Sequence, residues 1–251
     1  MTGCRCLPRT SRRVAFIAAV GGSNSALAAK AASSTTPIVF VIGDDPVSIG
    51  LVHSINRPGT NATGVSLVTA ALGGKRLELV CELAPGFGAV ALLANPANSN
   101  APAHVADARI AASAIGRQLI VVPASAETDF ETAFRTLADN AVRALVVQNE
   151  PFFDSQREQL VAMSARYNLP TIYHIREFPQ VGGLMSYGPS LVHAYYQAGL
   201  QAVRVLKGEK PGDVPVLQPT TFEFVINLKT ANALGLNIPP TLLARADEVI
   251  E

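Results

Sequence analysis

The sequence predicts an α/β protein of two lobes, each a doubly wound parallel sheet with helices on both faces. Three observations carry that expectation. Strand-length apolar runs alternate with helix-length amphipathic stretches along nearly the whole chain. The alternation falls into two blocks, residues 14–67 and 88–174, with a helical stretch between them. Apolar residues make up 49% of the 251 positions and charged residues 16%, enough apolar side chain to fill two cores.

In order, "VAFIAAV" (14–20) reads as a first strand, "PIVFVIG" (37–43) as a second and "ATGVSL" (62–67) as a third, after the turn-rich "NRPGTN". Leu77, Val80 and Leu83 recur at spacing three and predict a helix over 72–84, stopped by Pro85-Gly86. Then come a strand at 89–95, a helix at 101–116, a strand at 118–123, a helix at 127–139, a strand at 144–148, a helix at 153–167 and a strand at 170–174. That βαβαβαβ rhythm favours a parallel sheet covered on both faces. "GLMSY" (183–187) reads as a further strand, 190–206 as a helix, and the alternating "FEFVINL" (222–228) as a strand followed by a short helix to Gly235.

Residues 11–31, "SRRVAFIAAVGGSNSALAAKA", admit a second reading. Arg12 and Arg13, an apolar middle and Ala26-Leu27-Ala28 outline a secretory signal. The apolar run breaks at Gly21-Gly22, at the short end of the roughly 7–15 residues such a signal uses. Ser23 or Asn24 there suits a helix start, so strand, turn and helix is the preferred reading.

Twenty basic against nineteen acidic residues leave +1, which implies no basic face and makes nucleic acid a poor partner. No apolar run approaches the ~18 residues of a membrane span. Cys4, Cys6 and Cys81 are odd in number and lack metal-type spacing, so neither a disulfide framework nor a zinc site is expected, and no cofactor is implied.

Ligands of open α/β sheets gather beyond the carboxyl ends of the strands. There the sequence offers Gly43, Asp44, Asp45 and Pro46; Asn95, Pro96, Asn98, Ser99 and Asn100; Gln148, Asn149, Glu150 and Pro151; Arg176 and Glu177; and Ser186 and Tyr187. Several combine polar residues, a proline and a helix start, which serves either ordinary turn chemistry or a shared cleft. Of Asp44 and Asp45, one is expected to cap and one to face a ligand. The motifs G-x-S-x-G, G-x-x-x-x-G-K-[ST] and G-x-G-x-x-G are missing, and the four histidines show no metal spacing. Only His174, at a strand end, stands out. A rival enzyme reading would rest on Asp44, Asp45 or His174.

"TTPIVFVIGDDPVSIGLVHSINRPGTNATGVS" (35–66), "KRLELVCELAP" (75–85), "LLANPANSN" (92–100), "GGLMSYGPS" (182–190) and "VINLKTANALGLNIPPTLLARADEVIE" (225–251) resemble the substrate-binding proteins of ABC transporters. The similarity is to the class I periplasmic-binding-protein type that binds amino acids such as tryptophan. It implies two lobes closing around a small, amino-acid-like solute, without catalysis and as a monomer if the chain is complete. It also implies delivery to a membrane permease and a periplasmic location, or a cytoplasmic one if Met1 is the true start.

The implied first lobe takes 14–70 and 188–215, and the second takes 71–187 and 216–251. Hinge crossings fall near 71–87, 186–190 and 212–220, and 1–13 form a disordered tip. Carried over by position, the implied ligand-binding residues are Asp45, Pro46, Asn95, Asn98, Asn149, Glu150, Tyr173, Glu177, Ser186 and Tyr187. One departure stands out. "MTGCRCLPRTSRR" does not resemble the family, whose members carry a signal and a βαβα unit at that place. A truncated first lobe with an open strand edge is therefore expected, and the alternative function is an inactive fragment of such a protein.

Overall fold

The computed structural model describes residues 14–67, 69, 72–83, 88–98 and 101–251. The expected tip at 1–13, the Pro85-Gly86 stop, and Ser99 and Asn100 lie outside the described residues, as does part of the first expected crossing.

Two sheets form. The first has the order β1 (Ile17–Ala19), β2 (Ile38–Ile42), β3 (Ala62–Ser66), all parallel. Its central strand β2 is apolar on both sides because both faces are covered. Ile38, Phe40 and Ile42 pack towards α1 (Ser23–Ala32), while Val39 and Val41 pack towards α8 (Leu191–Leu206). Gly64 on β3 lets the backbones of β2 and β3 approach, since a Cβ there would meet the Phe40 carbonyl and amide.

The second sheet has seven strands. They are β4 (Val90–Ala94), β5 (Leu119–Pro123), β6 (Ala144–Val147), β7 (Thr171–Tyr173), β8 (Met185–Gly188), β9 (Glu223–Asn227) and β10 (Glu248–Ile250), in the order β10-β9-β8-β7-β6-β4-β5. Period-two alternation divides its strands between two cores. Val90, Leu92 and Ala94 pack with α2 (Gly73–Leu83) and α3 (Ala101–Ala114), and Ala91 and Leu93 with α4 (Asp129–Asp139) and α6 (Arg157–Arg166).

Several details differ from the sequence expectation. The first strand shrinks to three residues, and 11–31 contributes β1, a turn and α1. The helix expected at 153–167 begins at Pro151 and divides into α5 (Pro151–Ser155) and α6. β9 runs antiparallel to β8, so the second sheet is mixed. The short helices α7 (Glu177–Gln180), α9 (Leu228–Ala233) and α10 (Pro240–Leu243) complete the fold. Between them α7 and α10, with β10, carry too few residues to show periodicity.

The chain passes between the sheets after β3, after β8 and before β9, bringing α8 back to the first lobe. β1 has a strand on one side only among the described residues. α8, packed on β2 and β3, turns Val192, Tyr196 and Leu206 to solvent, at 71%, 62% and 56% exposure.

Candidate functional site

The carboxyl ends of both sheets face one cleft. In the first lobe it is lined by Gly22 and Ser23 at the start of α1 and by Gly43 and Asp44 after β2. The second lobe supplies Asn98, Asn149, Pro151, Asp154 and His174, and α8 adds Leu191 and Tyr195. In the second sheet β4 and β6 are neighbours whose chains leave in opposite directions. The loops after them therefore border the switch-point crevice, where such sheets take ligands.

Asp44 is the carboxylate of the first wall. Ser23 Oγ donates to its Oδ2, Ser66 Oγ donates to its main-chain carbonyl at 2.8 Å, and His104 Nε2 of the opposite lobe lies 3.2 Å from its Oδ1. Asp45, expected at the ligand, is instead an exposed turn residue whose Oδ1 accepts from Val47 N at 2.9 Å. Pro46 is buried behind it, its carbonyl accepting from Leu51 N and Val52 N. The expectation of one capping and one inward aspartate therefore fits the fold with the two positions exchanged.

In the second wall, Asn98 and Asn149 line the cleft and Asn95 and Glu150 support them from behind. Glu150 is buried, with Oε1 accepting from Asn95 Nδ2 at 3.1 Å and Oε2 accepting from Asn98 Nδ2. Asn95 Oδ1 in turn accepts from Ala97 N at 3.0 Å, so the loop is held by side chain and backbone together. Asn149 Nδ2 reaches across to Thr69 Oγ1 in the first crossing.

Four further sequence candidates lie off the cleft surface. Tyr173 is a core residue. Its ring stacks on Phe178 at 4.2 Å between centroids, its hydroxyl lies 3.1 Å from Ser164 Oγ, and burial pushes the phenol well above its ordinary range. The strand pleat sends it into the second core while the next residue, His174, reaches the cleft. Ser186 pairs with Tyr173 in register and is buried, and Tyr187 packs on Phe222 and Phe224. Glu177 stands behind Tyr195, whose phenol is raised by burial and then by the charges of Asp154 and Glu177.

His174 and Asp154 form a pair on the second wall, Nε2 to Oδ1 3.0 Å. His174 Nδ1 is buried without a hydrogen-bond partner among the described residues. Among the described residues no lysine or arginine lines the cleft, so its described walls carry a surplus of carboxylate. Ser23, Asp154 and Tyr195 escaped the strand-end survey because each sits on a helix, where only the packing of elements shows what faces inward. The nearest signal in the sequence is the Gly21-Gly22 break, with Ser23 or Asn24 suited to a helix start.

The hinge is tied by a buried arginine. Arg76 Nη2 donates to Thr69 O at 2.8 Å and Nη1 to Tyr187 O at 3.4 Å, joining two crossings, and burial lowers its pKa to about 10.

Two lobes, three crossings and a polar cleft at the strand ends are the architecture of the periplasmic-binding-protein fold. Residues 10–250 match the profile described as ABC transporter substrate binding protein, and the chain belongs to that family. It is 27% identical over 212 residues to a tyrosine-binding protein of Clostridioides difficile (strain R20291), a match over 84% of this chain and 61% of that protein. Among solved structures it is similar to an ABC domain from Streptococcus pneumoniae in complex with L-Trp, at TM-score 0.83 and 25% identity, covering 94% of this chain and 79% of the other. A conserved domain protein from Vibrio cholerae follows at TM-score 0.82 and 26% identity, covering 94% and 78%.

Proposed function

We propose that this protein binds an aromatic amino acid between its lobes, without chemistry, and presents it outside the cytoplasmic membrane to the permease of an ABC importer. The observation that carries the reading is Asp44, a largely enclosed carboxylate at a strand end in a cleft that no described lysine or arginine lines. A carboxylate so placed suits an ammonium group, and the charge-assisted hydrogen bond is worth more than a neutral one. The first turn of α1, entering at Gly22-Ser23, offers backbone N–H groups to the α-carboxylate. Tyr195, with Val20, Leu67 and Leu191, supplies apolar wall for a side chain. The L-Trp and tyrosine named for the related proteins support an aromatic solute.

The cavity between the lobes is ≈ 80 Å³, well below the roughly 300 Å³ at the small end of drug-sized ligand sites, so admission of such a solute requires the lobes to part. Calorimetric titration with L-tyrosine and L-tryptophan, against L-leucine and L-glutamate, tests the proposal. Saturable binding of an aromatic amino acid in preference to the others is expected; heat of dilution alone with both aromatic ligands overturns it.

A further inference from the structure

Asp44, the carboxylate on which that reading rests, already has a partner from the opposite lobe. His104 stands on the first turn of α3, and its Nε2 lies 3.2 Å from Asp44 Oδ1. Both side chains are largely enclosed, at 9% and 13% exposure. Asp44 follows β2 in the first lobe while α3 packs on the second sheet, so the contact exists only when the lobes are together. His104 thereby places a nitrogen where a ligand's ammonium would approach Asp44.

The other charged groups nearby are engaged elsewhere or stand apart. Asp45 accepts from Val47 N, and Asp107 is exposed one turn along α3. From α2, Lys75 pairs with Glu78 and Arg76 bonds the hinge carbonyls, while β4 and β5 bring no titratable side chain. Lys30 of α1 donates to Gly50 O and Leu51 O. Across the cleft Asp154 pairs with His174, and Glu150 accepts from Asn95 and Asn98.

We propose that His104 is the ligand's internal competitor for Asp44, a latch between the lobes that makes solute binding proton-linked. Neutral imidazole gives Asp44 one hydrogen bond; protonated imidazole gives it an ion pair in a partly desolvated place. The latch therefore tightens where acid protonates the imidazole and slackens where base removes that proton. A cationic ligand then has to displace a stronger partner in acid than in base. The competition rests on the proposed function, whereas the latch itself does not.

The test therefore begins without ligand. Small-angle scattering of the full chain at about pH 5.5 and about pH 8 is expected to show the wild type more compact in acid. His104→Gln and, independently, Asp44→Asn should each abolish that response, so that one variant serves if the other misfolds. A wild-type response retained in either folded variant overturns the latch. Titration with L-tyrosine follows: wild-type Kd should rise at least about fivefold at the lower pH, and His104→Gln should bind equally at both. Equal wild-type affinity at both pH values overturns the competition. Loss of compaction with His104→Gln, together with no binding of any amino acid, upholds the latch and removes the ligand reading.

Discussion

Pro151 of the second lobe packs against Gly22 of the first, its Cγ 2.8 Å from where a Cβ on Gly22 would stand. Gly22 has φ 80 and ψ −175, a conformation almost confined to glycine. Gly22→Ala therefore meets both backbone strain, of order 1–3 kcal/mol, and a clash across the cleft. Its expected effect is a more open protein with weakened solute binding, read as a larger radius of gyration and a raised Kd for L-tyrosine. An unchanged radius would show that the lobes do not close on this contact.

The two adjacent aspartates separate binding from turn structure. Asp44→Asn should weaken L-tyrosine binding by roughly tenfold or more, the scale of a lost charge-assisted hydrogen bond. Asp45→Asn, which alters only an exposed turn, should leave the affinity within about twofold. Calorimetry on both proteins decides the assignment.

Glu150 accepts from two asparagine amides within the second lobe. An amide in its place turns one acceptor into a donor facing a donor. Glu150→Gln should therefore cost about 1–3 kcal/mol of stability, measured by urea unfolding. Because Asn98 lines the cleft, solute affinity should fall as well.

Burial keeps the Tyr173 phenol protonated above its ordinary value of 10.0. An unfolded chain ionises near that value. The stabilisation is therefore complete below about pH 10 and is lost as pH rises beyond it. Wild-type stability should fall between about pH 9 and about pH 11, and Tyr173→Phe should fall less steeply. At neutral pH that variant gives up about 1 kcal/mol for the hydrogen bond to Ser164, with unchanged solute affinity.

The exposed apolar side chains of α8, Val192 and Tyr196 among them, favour association in physical terms. Val192→Lys with Tyr196→Lys should reduce concentration-dependent association in sedimentation velocity without lowering the melting temperature.

The sequence by itself determined the layered α/β plan. Strands such as "IVFVI" and "VALLA" are apolar at every position, which only a sheet covered on both faces can satisfy, and the helices between them carry their own periodicity. It also located the loops of the site, because strands end where polar residues and prolines begin.

Which side chain of each loop faces the cleft was decided by the tertiary structure. Tyr173 and His174 are neighbours in sequence, yet the pleat buries one and presents the other. Asp44 and Asp45 are chemically alike, and the turn at Pro46 alone turns one inward and the other to solvent. His104 joins Asp44 across 60 positions of sequence, and Tyr195 arrives on a helix that returns from the far side of the hinge. Periodicity and turn chemistry are local and can be read from the chain. Contacts between lobes depend on where three crossings place two rigid bodies, and no local pattern encodes that.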